Sequence, residues 1–140
     1  VVVFVDHLAR GFKPPGSKFY RDVLADFQLH PQDTGPNSIT NMCHFQVLCE
    51  AFFQEEPTVE LFRDLFHLNL HTEFTDGSNT ELGGVAIQKR KEVTYPHAKL
   101  HRHPKEWNQT WFYCKDSSPA GENPLPGFRP ERLSNTQPFP

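Results

Sequence analysis

The apolar residues of this chain keep helical spacing up to about residue 71 and then change to short runs of strand character. That single change of period restricts the fold more than any other feature. Helices followed by strands in separate blocks imply an α+β domain rather than an alternating parallel sheet. Thirteen prolines and eight glycines keep each element short. The chain of 140 residues has the size of one ordinary domain and can bury one core. Only 36% of its residues are hydrophobic, yet thirteen are Phe. Each ring can bury roughly 150–250 Å², so burial is concentrated in a few large side chains.

Over residues 1–10, Val1, Phe4, Val5 and Leu8 fall at helical spacing, although the valine run also suits a strand. Ser17 can cap a helix over 18–28 that places Phe19, Val23, Leu24 and Phe27 on one face. After a loop from Leu29 to Pro36, Asn37 or Ser38 caps a helix reaching about Phe53. Its apolar residues, Phe52 and Phe53 among them, cover well over half the circumference, which predicts a central, buried helix. Pro57 suits the first turn of a further helix carrying Val59, Leu61, Phe62, Leu65, Phe66 and Leu68.

Strands are expected over 72–75 and 82–88 around an Asp76-Gly77 turn, with Gly83-Gly84 marking a bulge or a close backbone approach. Further strands are expected over 93–100, with Pro96 at an edge or bulge, and over the aromatic run 110–115. The expected layout is an N-terminal layer of three to four helices packed on a small antiparallel sheet. Residues 1–116 form one domain (helical half 1–71, sheet half 72–116). Residues 117–140 form an extended Pro-rich arm, docked through Phe128 and Leu133. A start at Val1 and a Pro-rich end read as a piece of a longer open reading frame.

Cys43, Cys49 and Cys114 are too few, and odd in number, for a disulfide framework. The first two are about 9 Å apart along a helix, beyond disulfide reach. A reducing, intracellular compartment is expected. No apolar run approaches the roughly 20 residues of a membrane helix.

The segments HLARGFKPPGSKFYRDVL (7–24), LHPQDTGPNSITNMCHFQVLCEAFF (29–53), PTVELFRDLFHL (57–68), ELGGVAIQKRK (81–91) and HPKEWNQTWFYCKD (103–116) together resemble a domain of plant, mainly grass, proteins described as gypsy-type transposons or transposases. The resemblance runs from residue 1 to about 133. It implies lineage, and it brings no catalytic residues and no cofactor.

Individual motifs have plain structural readings. Asp33-Thr34-Gly35 matches the triplet of retroviral-type aspartic proteases, but no apolar strand precedes it, and the paired-aspartate chemistry needs that setting. A turn is expected instead. The pairs Asp22/Asp26 and Glu60/Asp64 are spaced like solvated helix positions rather than like a metal-holding carboxylate set. His67 and His71, four apart on an expected helix, lack further ligands, as do His101, His103 and Cys43-His44. Cys114 reads as a buried strand thiol, and Asn108-Gln109-Thr110 as an incidental glycosylation sequon. No catalytic, metal or cofactor site is expected, and no small-molecule substrate.

Charge is divided along the chain. Residues 1–80 carry five Lys/Arg against eleven Asp/Glu, whereas residues 81–115 carry seven against three. Within the basic block Lys89, Arg90, Lys91, Lys99, Arg102 and Lys105 interleave with Tyr95, Trp107 and Trp111. Cations for phosphates and rings for bases are the ingredients of single-strand nucleic-acid binding. The expected function is a non-enzymatic interaction or assembly module, acting by helix-mediated self-association or on other protein chains. The alternative is nucleic-acid contact through Lys89–Lys105 with Trp107 and Trp111.

Overall fold

The computed structural model describes residues 1–75, 77–96, 99–100 and 106–131, with backbone alone for 71–75 and 78–83. In chain order the elements are β1 (Val2–Phe4), α1 (Val5–Ala9), α2 (Lys18–Asp26), a 3₁₀ turn (Pro31–Asp33), α3 (Pro36–Val47), a π-helical segment (Leu48–Phe53), α4 (Val59–Leu65), β2 (Phe66–Thr75), β3 (Ser78–Lys89), a second 3₁₀ turn (Trp107–Gln109) and β4 (Trp111–Tyr113). The class is α+β. The sheet part is divided in two: β2 pairs antiparallel with β3, and β1 pairs antiparallel with β4.

The core is an aromatic junction between the helices and the long hairpin. Phe62 of α4 is fully buried, with its ring stacked on Phe66 at 5.0 Å and edge-on to Phe45 and Phe19 at 5.4 and 5.5 Å. Helices α2, α3 and α4 each contribute a ring because each keeps apolar spacing, and the hairpin contributes Phe66, Leu68, Val85 and Ile87 from alternate positions. Polar side chains of α3 tie it to β3: the Ser38 hydroxyl donates to the Val85 carbonyl and the Asn41 amide to the Ile87 carbonyl, both at 3.1 Å.

Several elements differ from their sequence reading. Residues 1–10 are not one helix. Val2, Val3 and Phe4 are all buried, and β-branched residues enclosed on both faces favour the strand. Helix α2 stops at Asp26, because Gln28 takes a left-handed φ of 55°. Gly35, not Asn37 or Ser38, is the N-cap of α3, leaving Ser38 free to bond the hairpin. Pro57 lies outside α4, whose N-cap is Thr58, its hydroxyl accepting from the Leu61 N–H at 3.2 Å. The chain turns from helix to strand at Phe66, so Phe66, His67 and Leu68 belong to β2, and His67 and His71 share a strand rather than a helix. The 93–100 strand is absent among the described residues; His97 and Ala98 lie outside them.

Gly84 is the close approach that its neighbourhood predicts. Its φ is +143°, and a Cβ there would lie 3.2 Å from the Asp33 carbonyl oxygen. The pairing slips between Leu70↔Val85 and Thr72↔Glu81, a bulge on β3, and Thr34 bridges in parallel to Val85 just beyond it.

Residues after Asp116 reach back to the helices. The buried Arg21 donates to the Asn123 carbonyl at 2.7 Å and to Glu122 at 2.6 Å, and Leu125 is buried in the core. The Arg129 N–H donates to Gln32 Oε1 at 2.7 Å, and its guanidinium pairs with Asp33. Phe128, the expected anchor, is exposed, and Leu133 lies outside the described residues. Leu125 takes that role because two flanking hydrogen-bonded positions, Asn123 and Arg129, fix the segment over α2 and the 3₁₀ turn.

Candidate interaction surfaces

The basic segment is divided by its geometry. Lys89 is exposed, and its ammonium donates to the carbonyls of Val93 at 2.7 Å and Arg90 at 3.2 Å, closing the turn after β3. Arg90 is half-buried, its Nε donating to the Arg63 carbonyl at 2.8 Å, so it fastens the end of β3 to α4. Lys91 and Lys99 are exposed. Arg102 and Lys105, with His101 and His103, lie outside the described residues. Two of the interleaved rings face inward. Trp107 stacks on His7 and meets Phe4 edge-on, both at 5.1 Å. Tyr95 sits edge-on to Phe66 at 4.9 Å, its hydroxyl 3.3 Å from His44 Nδ1. Trp111 is exposed and contacts Tyr113.

The carboxylates are solvated or paired. Asp22 accepts from Lys18 and Asn123 at 2.6 and 2.8 Å, and Asp26 pairs with Arg63 at 2.5 Å. With Glu56 and Glu60 these two aspartates line an open groove of about 580 Å³ between α2 and the start of α4. Asp33 has both oxygens engaged, one by the His30 N–H at 2.8 Å and the other by Arg129, while the Thr34 hydroxyl donates to the Pro31 carbonyl. Among the described residues no three His, Cys, Asp or Glu side chains are grouped to hold a metal ion. The three cysteines are free thiols. Cys43 borders a second hollow, of about 380 Å³, under the 11–17 loop, and burial pushes its thiol up. No described helix is long and apolar enough to cross a membrane.

The surface feature the sequence reading missed is apolar. Phe52 and Phe53 were assigned to a buried face, yet they are 72% and 59% exposed, and Val47 beside them is 53% exposed. Cys49 and Phe45, one and two turns earlier, are buried at 1%. The packing partners of α3, namely Phe19, Phe62 and β3, cover it as far as Cys49, and the π-helical segment carries the last rings beyond them. A usable signal was present: Phe-Phe directly before Gln54-Glu55-Glu56-Pro57 puts two rings at a polar helix end. A second exposed aromatic run is β4, where Trp111, Phe112 and Tyr113 are 47%, 40% and 76% exposed.

Residues 1–70 match the family described as "Putative gypsy type transposon". The chain belongs to that family. The match takes in everything from β1 through α4 and the first half of β2, so the aromatic junction and the apolar end of α3 both lie within the gypsy-type region. The gypsy-type chain matches no curated protein and no solved structure.

Proposed function

We propose that this gypsy-type transposon domain is a non-catalytic assembly module that associates with itself through the apolar end of α3. The observation that carries this reading is the exposure of Val47, Phe52 and Phe53, three large apolar side chains within seven residues. Large apolar side chains exposed close together in sequence on a small domain favour association, because burying them on a partner removes them from water. The acidic helical half supplies solubility around the patch.

Light scattering over a concentration series tests the proposal. The mass should rise above that of a monomer with concentration, and the double variant Phe52→Ser/Phe53→Ser should lose most of that rise with unchanged circular dichroism. A wild-type chain that stays monomeric throughout removes the reading.

The exposure of Lys89, Lys91 and Lys99 favours a second reading, contact with single-stranded nucleic acid. Tyr95 and Trp107 are engaged in internal packing, so this contact would rely on charge more than on stacking. A gel shift at ~50 mM salt is the sensitive condition, since phosphate contacts are strongest there. Binding should weaken in Lys89→Ala/Lys91→Ala and lose part of its salt dependence. No shift at that salt removes the reading.

A further inference from the structure

We infer that the outer edge of β4 is a second self-association site, where β4 of one copy pairs antiparallel with β4 of another. The inference rests on the direction of the backbone groups. On the inner side, the Cys114 N–H donates to the Val1 carbonyl at 2.8 Å and the Val5 N–H to the Thr110 carbonyl at 3.0 Å. In an antiparallel ladder the bonding direction alternates, so Thr110, Phe112 and Cys114 face β1, while the N–H and C=O of Trp111 and Tyr113 face away. Among the described residues no third strand pairs with β4. Edges of sheets are ordinarily blunted by shortness, charge, proline, a bulge or a covering element; β4 is short, but its three residues are all aromatic and all exposed, with no charge or proline among them.

This edge is complementary to itself. Outward groups can bond only where an outward residue meets an outward residue. With Phe112 opposite its own copy, Trp111 of each chain faces Tyr113 of the other, and all three strand residues are paired. Shifting the register toward the start of β4 runs the partner into the 3₁₀ turn that ends at Gln109. Trp111 and Tyr113 already meet edge-on at 5.1 Å on one face, so the symmetric pair builds a four-ring cluster there, the kind of cross-strand contact that stabilises sheets. Lys115, exposed and two residues past Tyr113, falls toward Trp111 of the second copy rather than toward its own counterpart, which avoids a Lys–Lys clash and places the cation near an indole.

The exposed parts of the three aromatic side chains amount to a few hundred Å² per copy, below the roughly 800 Å² per partner of a stable dimer. The β4 pair is therefore weak alone. Its consequence comes from combination: copies joined through the α3 end at one surface and through β4 at another make an extended chain of molecules rather than a closed dimer. In that respect the inference builds on the proposed assembly role, although the β4 contact itself does not depend on Phe52 or Phe53.

Cysteine crosslinking reads the register directly. Position 112 and its copy form a non-hydrogen-bonded pair with Cα atoms about 4.5 Å apart, within disulfide reach. In a Cys114→Ser background, Phe112→Cys should give a disulfide-linked dimer under mild oxidation about tenfold faster than Ala25→Cys, an exposed position on α2 that reports random collision. Adding Tyr113→Pro should abolish the excess, because it removes only an outward N–H and leaves the ladder to β1 intact. The crosslink should persist in Phe52→Ser/Phe53→Ser, so failure at α3 appears in the mass series and failure at β4 appears in the crosslink. A Phe112→Cys rate equal to that of Ala25→Cys overturns the inference. So does a single Tyr113→Pro variant, folded by circular dichroism, whose association at high concentration matches the wild type.

Discussion

Replacing Phe62 with alanine should lower the unfolding free energy by about 3–5 kcal/mol, the range for deleting a fully buried ring. Phe62 is 0% exposed and is the ring that the other elements share: Phe19 comes from α2, Phe45 from α3 and Phe66 from β2. Its loss leaves a cavity where four elements meet, and rings held by three separate backbones cannot all collapse into it. The melting temperature should fall by about 10–20 °C for a domain of this size. Phe53→Ala, also a lost ring but on an exposed position, should change stability by no more than about 0.5 kcal/mol. Urea unfolding of both variants checks the contrast. Equal losses at the two positions would mean that the aromatic junction is not the core, or that the α3 end is not free surface.

How far the fold can be read from the sequence depends on whether one element's pattern decides its fate. Phe19, Val23, Leu24 and Phe27 keep one face across α2 and are buried as their spacing demands. The hairpin turn and the glycine bulge are legible for a similar reason, since Gly84 alone can approach Asp33 so closely. The pattern fails where a partner distant in sequence makes the choice. Val2–Phe4 fits either a helix or a strand, and β4, more than a hundred residues on, settles it. Phe66 and Leu68 continue the apolar spacing of α4, but pairing with Lys89 and Ile87 draws them into β2. Among candidate contact residues, Lys91 and Lys99 are exposed, whereas Trp107 and Arg90 are held by His7 and Arg63, contacts that no local motif announces. Exposure at the end of α3 was legible only in the polar residues that follow it.

Acid should destabilise the domain through His7 in particular. This ring is 1% exposed, lies among Phe4, Phe12 and Trp107, and has no hydrogen-bond partner at Nε2 among the described residues. Burial lowers its pKa from 6.5 to about 4, against the opposing effect of a hydrogen bond with the Thr34 backbone. The folded state therefore holds His7 neutral, while the unfolded chain takes up a proton below pH 6.5. Stability from this group is complete above 6.5 and is lost progressively as pH falls toward 4, because in that window only the unfolded state gains the proton. At about 1.4 kcal/mol per pKa unit, the loss between about pH 7 and pH 4.5 is roughly 2 kcal/mol. In His7→Phe the ring stack is kept and the titration is removed, so carboxylates that titrate elsewhere act equally on both proteins. Urea unfolding of the two at each pH should show the wild type losing the extra 2 kcal/mol or so. Parallel pH profiles would mean that His7 reaches solvent, and that the contact between β1, α1 and the Trp107 turn is open rather than closed.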